Sequence, residues 1–340
     1  MAVGLNAMYS ITTGVCNVAI GPNALYSVTT GTTNTAVGSC ALEANTGVSN
    51  VAVGCGALDA NTSASENVAV GTNALGSNTT ASANTAVGHT TLAANTTGSG
   101  NTAIGGGSTL DNNTTGSSNV AMGNNALDAN TTASDNTALG SGAMFANTTG
   151  CQNTAVGSVA MLDNTTGDNN VAIGMNSLPN NTTGDDNVAM GVSSLGNNTT
   201  ASGNTAIGRT AMSANTTGDK NTAVGHNALC THTTTDNNTA VGYNAILNTS
   251  GEKNTAIGAQ VGGTLGSGSN NIIIGFGAAA SAVGADNETV IGTTTTTSAL
   301  VHGLKQPVIA ASANVAAAAA FPNSIFNFSD ADGALSLIHI

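Results

Sequence analysis

The sequence predicts an all-β protein, a single-chain parallel β-solenoid (β-roll) of about 17 coils with a 17-residue repeat. Three observations carry that prediction. The pentapeptide Asn-(Thr/Val)-Ala-aliphatic-Gly, seen at Asn153-Thr154-Ala155-Val156-Gly157, starts at Asn17 and recurs along the chain to Asn271, with a degenerate copy at Asn287. Twelve of its sixteen intervals are 17 residues, three are 16 and one is 18. A fixed period near 20 marks a stack of units, each burying its face only against its neighbours. The third observation is composition: 340 residues, 2% aromatic, 6% charged, 44 glycines and no tryptophan. Large side chains normally fill a globular core. Here the 40% hydrophobic content is mostly Ala and Val, suited to thin, regular layers.

The N-terminus is already in phase, since Met1-Ala2-Val3-Gly4 matches the repeat. An open first coil invites strand addition, so a longer reading frame or a covering subunit is expected at this end. No signal peptide is visible in residues 1–10, and no apolar run approaches the roughly 20 residues of a membrane span.

Between Asn17 and Gly258 two apolar columns run unbroken. One is the aliphatic before each glycine, such as Val156, Ile173, Met190 and Ile207; the other follows the turn, such as Leu127, Met144, Met161 and Leu178. Strand alternation puts the Thr/Val and Val/Ile positions on one face. The expectation is that these join the Leu column inside the coil. The intervening Ala and the leading Asn would then point out. The Ala file Ala138, Ala155, Ala172, Ala189 and Ala206 is therefore the expected oligomer face, where identical chains approach about a symmetry axis, a trimer foremost.

Asparagine forms two further columns. Asn136, Asn153, Asn170, Asn187 and Asn204 open their strands; Asn61 to Asn215 make a second file at the corners. Stacked about 4.8 Å apart, their amides can bond from rung to rung. His232 takes the next place in the second file and reads as a ladder substitute. Length changes fall at corners: the 18-residue coil has its extra residue at Gly105-Gly106-Gly107, and the coils ending at Asn50 and Asn254 are short in the Asn-Thr-Thr-Gly corner.

The pattern decays after Gly258. Residues 1–292 form the expected solenoid, and 293–334 a Thr/Ala-rich joint and the start of a distal module. In that module Ser324 to Phe328 alternates like a strand ahead of a turn at Asp330-Ala331-Asp332-Gly333. Residues 335–340 resemble an in-frame translation of a transposase adapter and are expected to be a non-native tail.

Net charge is −13, with only Arg209, Lys220, Lys253 and Lys305 positive. Almost nothing is available to neutralise phosphates, so nucleic acid is not an expected partner. No nucleophile sits in a G-x-S-x-G elbow, and the five histidines are isolated, so no catalytic, cofactor or metal residues are assigned and no enzyme is expected. Asp168, Asp185, Asp219, Asp236 and Glu252 share one column, which raises calcium. Ser202 interrupts that column, and it reads first as a solvated acidic edge. Five cysteines lack CxxC spacing; Cys40 and Cys55, on adjacent coils, are a weak disulfide candidate. The Asn-Thr-Thr corners raise ice binding, although adjacent threonines on an extended chain would face opposite sides.

The Asn-(Thr/Val)-Ala-(Val/Ile)-Gly strand followed by G-x-x-A-L resembles the head repeats of trimeric autotransporter adhesins, and equally the repeats of phage tail-fibre and related virion proteins. The likeness covers about residues 1–303. It implies a left-handed roll packed as a homotrimer. It also implies a non-enzymatic attachment protein of a virion tail fibre or a cell surface, bound to a host receptor or glycan. Departures are the 17-residue unit, longer than the head repeat, and the lack of a heptad stalk, membrane-anchor strands or self-cleaving chaperone domain. A secreted adhesin fragment and an ice-binding solenoid are the rival expectations.

Overall fold

The structure, a computed structural model, describes residues 1–247 and 249–293 and two strands beyond them. The chain divides into two compact units, Met1–Thr294 and Thr295–Ile340. The first is the predicted parallel β-solenoid. Its strands run from β1 (Ala2–Val3) and β2 (Val18–Ile20) through β10 (Thr154–Val156) to β18 (Thr289–Ile291), one per coil. Together they form one 18-stranded sheet in which each strand pairs in parallel with the next along the chain. No helix occurs among the described residues.

Most strands are three residues long because only the Thr/Val-Ala-aliphatic segment is extended. β-Branched side chains on both sides of the alanine favour that conformation. Register is one repeat per rung, so like sits on like: Thr154 over Thr137, Ala155 over Ala138. The rest of each coil is turns held to both neighbours. Met161 N–H donates to Ser177 O one coil on (2.9 Å), while Val159 N–H donates to Ser141 O one coil back (2.9 Å). Backbone pairing thus continues around the coil after the strand ends.

The glycine closing each strand has no substitute. Gly157 sits at φ +134°, and a Cβ there would lie 2.6 Å from Gly174 O. The Leu column also sits at positive φ, as at Leu127 (φ 52°) and Leu178 (φ 49°). Left-handed backbone is costly for a bulky residue. Burial of that leucine, completely enclosed in each case, offsets the cost.

The alternation within the strand holds, but its faces are the reverse of the expectation. Ala138, Ala155, Ala172, Ala189 and Ala206 are all 0% exposed, sealed inside the coil of their own chain. They cannot form an oligomer face. The flanking Thr/Val and Val/Ile/Met positions point outward, and several are well exposed, Met122 at 46% and Ile257 at 44%. The physical reason is width. On the regular coils the strand faces a core already holding a leucine or methionine, a second small residue and two asparagines, and a methyl fills what is left; Ile273 takes the inward place only at β17, where Ala279 replaces the leucine.

The last rung also corrects the repeat count. Thr289 pairs with Ile272, and Glu288 N–H donates to Asn271 Oδ1 (2.8 Å), so Glu288 rather than Asn287 holds the asparagine position. That interval is 17 residues, not 16. The extra residue of the long coil does fall after Gly105: Thr109 and Leu110 resume the pattern, and Leu110 N–H reaches Ala126 O at 3.0 Å.

In the second unit β19 (Ile325–Ser329) pairs antiparallel with β20 (Leu335–His339), Ile325 opposite His339. Leu335–His339, expected as a non-native tail, is one strand of this hairpin. The alanine-rich run and the Asp330–Gly333 turn lie outside the described residues.

The inward alanine makes a direct test. Ala155→Leu overfills the core and should cost about 1–3 kcal/mol. Thr154→Val, which copies Val171 on the neighbouring rung, should stay within about 0.5 kcal/mol of wild type. Urea midpoints of the two variants decide; an Ala155→Leu chain as stable as wild type would place that methyl outside.

Candidate functional site

Each corner turns one peptide carbonyl into the core, and the two asparagine columns converge on it. Gly167 O accepts from Asn153 Nδ2 (2.8 Å) and from Asn164 Nδ2 (3.0 Å). The same pairing serves Gly184 O, through Asn170 (2.8 Å) and Asn181 (2.9 Å).

The proposed structural ladder is present, with a different chemistry in its two files. In the strand-opening file the amide oxygen accepts a backbone N–H of the next rung. Asn153 N–H donates to Asn136 Oδ1 at 3.0 Å, Asn170 to Asn153 at 2.9 Å, and Asn187 and Asn204 to their predecessors at 3.0 Å. In the corner file the bond is amide to amide, as from Asn164 Nδ2 to Asn147 Oδ1 (2.9 Å). All five of Asn136, Asn153, Asn170, Asn187 and Asn204 are completely buried. They are scaffold, out of reach of any ligand.

His232 occupies the corner file as expected. Its Nε2 meets Thr235 O at 2.5 Å and its Nδ1 meets Thr235 Oγ1 at 2.9 Å. The neutral Nε2–H tautomer satisfies both. An imidazole has no further N–H to give Asn215 Oδ1, which is left buried without a partner. Burial, the largest influence, holds the His232 pKa below its ordinary value, against smaller raising effects from Thr235 and Asp236.

A third ladder escaped the sequence reading. The acidic column continues upstream as Ser65, Ser82, Ser99, Ser117, Ser134 and Cys151. Each of these side chains accepts the N–H of its counterpart one coil back, as Ser134 Oγ does from Ser117 (3.0 Å). Asp168 Oδ1 takes Cys151 N–H (2.7 Å) and Asp185 Oδ1 takes Asp168 N–H (2.8 Å). Ser202 is therefore no interruption, because its Oγ accepts Asp185 N–H at 3.0 Å. The signal was the mixture of Ser and Asp at one position, both short acceptors. Among the described residues no three His, Cys, Asp or Glu side chains converge as metal ligands would. All five cysteines are free thiols, so the Cys40–Cys55 bridge is not formed.

Two threonine columns edge the corner. The first is half-buried and its hydroxyl donates to the next coil's backbone, Thr148 Oγ1 to Thr165 O at 3.0 Å. The second, including Thr149, Thr166 and Thr183, is exposed. Both lie on the outside, because the chain bends here instead of running extended. Opposite faces are expected of an extended chain, and that condition is not met at the bend.

On the turn after the strand, Tyr9 stacks on Tyr26 (5.4 Å, 10°), and His226 on Tyr243 (5.6 Å, 20°). Each stack is a rung-to-rung consequence of the repeat. Burial pushes the carboxyls of Asp59, Asp111 and Asp128 above the ordinary carboxylate range; Glu43 adds to this at Asp59, and Asp111 adds to it at Asp128. A notch of about 380 Å³ is lined by Thr231, Thr249, Ser250, Gly266 and Ser267, and one of about 470 Å³ by Ala279, Ser281, Val290 and Ile291 among others. Neither lining contains an acid, a base or a thiol. No helix among the described residues is long and apolar enough to cross a membrane. In comparisons with known proteins, no family model and no curated protein matches this chain.

The broken rung at His232 gives a prediction of stability and its pH dependence. His232→Asn supplies the missing donor to Asn215 Oδ1 and should add about 0.5–1.5 kcal/mol. Since the folded pKa lies below the unfolded one, wild type keeps this residue's full contribution above the ordinary pKa of 6.5 and loses it as pH falls below that value. Thermal melts across pH 5 to 8 should show that slope in wild type and a smaller one in His232→Asn.

Proposed function

We propose that this chain is the repetitive part of a non-enzymatic fibrous attachment protein, a virion tail fibre or a cell-surface adhesin. It assembles as a left-handed homotrimer and contacts a host receptor or glycan. One observation carries the reading: the same small surface recurs on 18 stacked strands in one in-register sheet, with its polar groups spent on holding the stack together. At about 4.8 Å per rung the sheet extends about 80 Å. Such a rod spaces and displays. Catalysis, by contrast, draws unlike groups together in a concavity. Affinity then comes from many weak, equal contacts.

The outward threonine columns support a second reading, an ice-binding solenoid, because both lie on one side of the corner at rung spacing. In that case the purified chain shapes ice crystals and produces thermal hysteresis.

The attachment reading is tested by display. Beads coated with the full chain should bind a panel of bacterial and eukaryotic cells, with apparent affinity about 10²-fold or more above that of the free chain. Beads that bind no cell of the panel would count against attachment; thermal hysteresis in the same preparation would select the second reading.

A further inference from the structure

The outward strand face is uncharged, one aliphatic per rung beside a threonine or a β-branched aliphatic on most rungs, and its apolar share grows along the chain. On the earlier coils the outer aliphatic is usually valine, and beyond Leu5 and Pro22 of the first two coils the column just after the strand glycine is small or polar, as at Ser39, Thr72, Asn124 and Ser158. From β11 (Val171–Ile173) onward the outer aliphatic is mostly isoleucine or methionine, with Met190 37%, Ile207 38% and Ile257 44% exposed. Over the same coils the neighbouring column becomes Met175, Val192, Tyr243 and Phe276, exposed by 55%, 38%, 50% and 74%. Arg209 is the only charged residue in either file of this half, in a chain of net charge −13. Monomeric proteins rarely leave so many neighbouring large apolar side chains in water.

Resting on the homo-oligomeric reading above, we infer that this outward strand face, and most of all its half between Val171 and Ile291, is the surface on which copies of this chain pack against each other. Its size suits that role. Eighteen rungs, each about 7 Å across the strand, present about 600 Å², and the second file brings the total to about 800 Å², the share of one partner in a standard specific interface. Its chemistry suits a copy of itself. A file repeating every rung matches an identical file at the same spacing, and a face without acids brings no like charges together. The acids that give the chain its negative charge lie elsewhere: Asp168, Asp185, Asp219 and Asp236 hold the ladder before the strand, and Asp111 and Asp128 lie on the far turn. Joined this way, the copies leave the exposed threonine corner free for attachment.

Sedimentation velocity of the full chain at tens of micromolar tests this, with circular dichroism as the check on folding. Wild type should sediment as a multiple of its 32.7 kDa. The triple variant Met190→Lys, Ile207→Lys, Ile257→Lys should sediment as one copy with an unchanged spectrum. A milder triple, Met190→Thr, Ile207→Thr, Ile257→Thr, uses a residue the same face already carries and should weaken assembly by roughly tenfold or more. The control Thr149→Lys, Thr166→Lys, Thr183→Lys on the corner should remain assembled. A lysine triple that folds and stays assembled overturns the assignment. If that triple unfolds, the threonine triple decides, and wild-type assembly there overturns it. Wild type that assembles while only the corner control dissociates refutes this face and leaves the fibre reading standing. Wild type that is a single copy removes both this inference and the oligomeric part of the fibre reading.

Discussion

The structure depends on a carbonyl that points the wrong way. At each corner the chain turns a peptide oxygen into a core with no room for water, and an unpaired acceptor there costs about 1–3 kcal/mol. Two asparagine amides on every regular coil meet it, one from the strand start and one from the corner itself. Their own oxygens are then taken by the next rung. One interaction thus closes the corner, fixes the distance between strand and corner, and locks each coil to its neighbour. His232 shows what the arrangement demands: an imidazole reaches the carbonyl but leaves Asn215 Oδ1 with nothing.

From that polar seam follows the thinness of the apolar core. With two asparagines and a leucine inside each coil, little volume remains beneath the strand, and alanine fills it. The larger side chains of the strand go outside. Ordinary amphipathic strands bury their bulkiest residues, and this one inverts the rule because its coil is too narrow for them. The inversion puts valine, isoleucine and methionine on the surface of a chain with few charges.

The rest of the surface divides by what the ladders leave over. Serine and aspartate before the strand are committed to backbone N–H groups, which gives the acidic column a structural role. The first threonine of most corners is committed too, as a donor to the next coil's backbone carbonyl. Unspent groups are the outer threonine, the strand face and the turn beyond it. The fibre proposed above would bind copies of itself along one side and a target along another.

Period, strand position, parallel stacking, the sites of insertion and the two asparagine files are legible in the sequence, because each depends on residues at one fixed spacing. The same spacing places Ala155 on the opposite side of the strand from Thr154 and Val156. It cannot say which side is inner, since alternation is symmetric under exchange of faces. Only the closed coil decides that, through the volume left beside Leu and Asn, and it turned the alanine file from an expected interface into core. The serine–aspartate ladder was hidden for a related reason: two residue types share one role, and the role is visible only where the neighbouring rung's N–H points at them. By itself the sequence determined a repeating roll; the tertiary structure decided which side chains that roll encloses and which it leaves exposed.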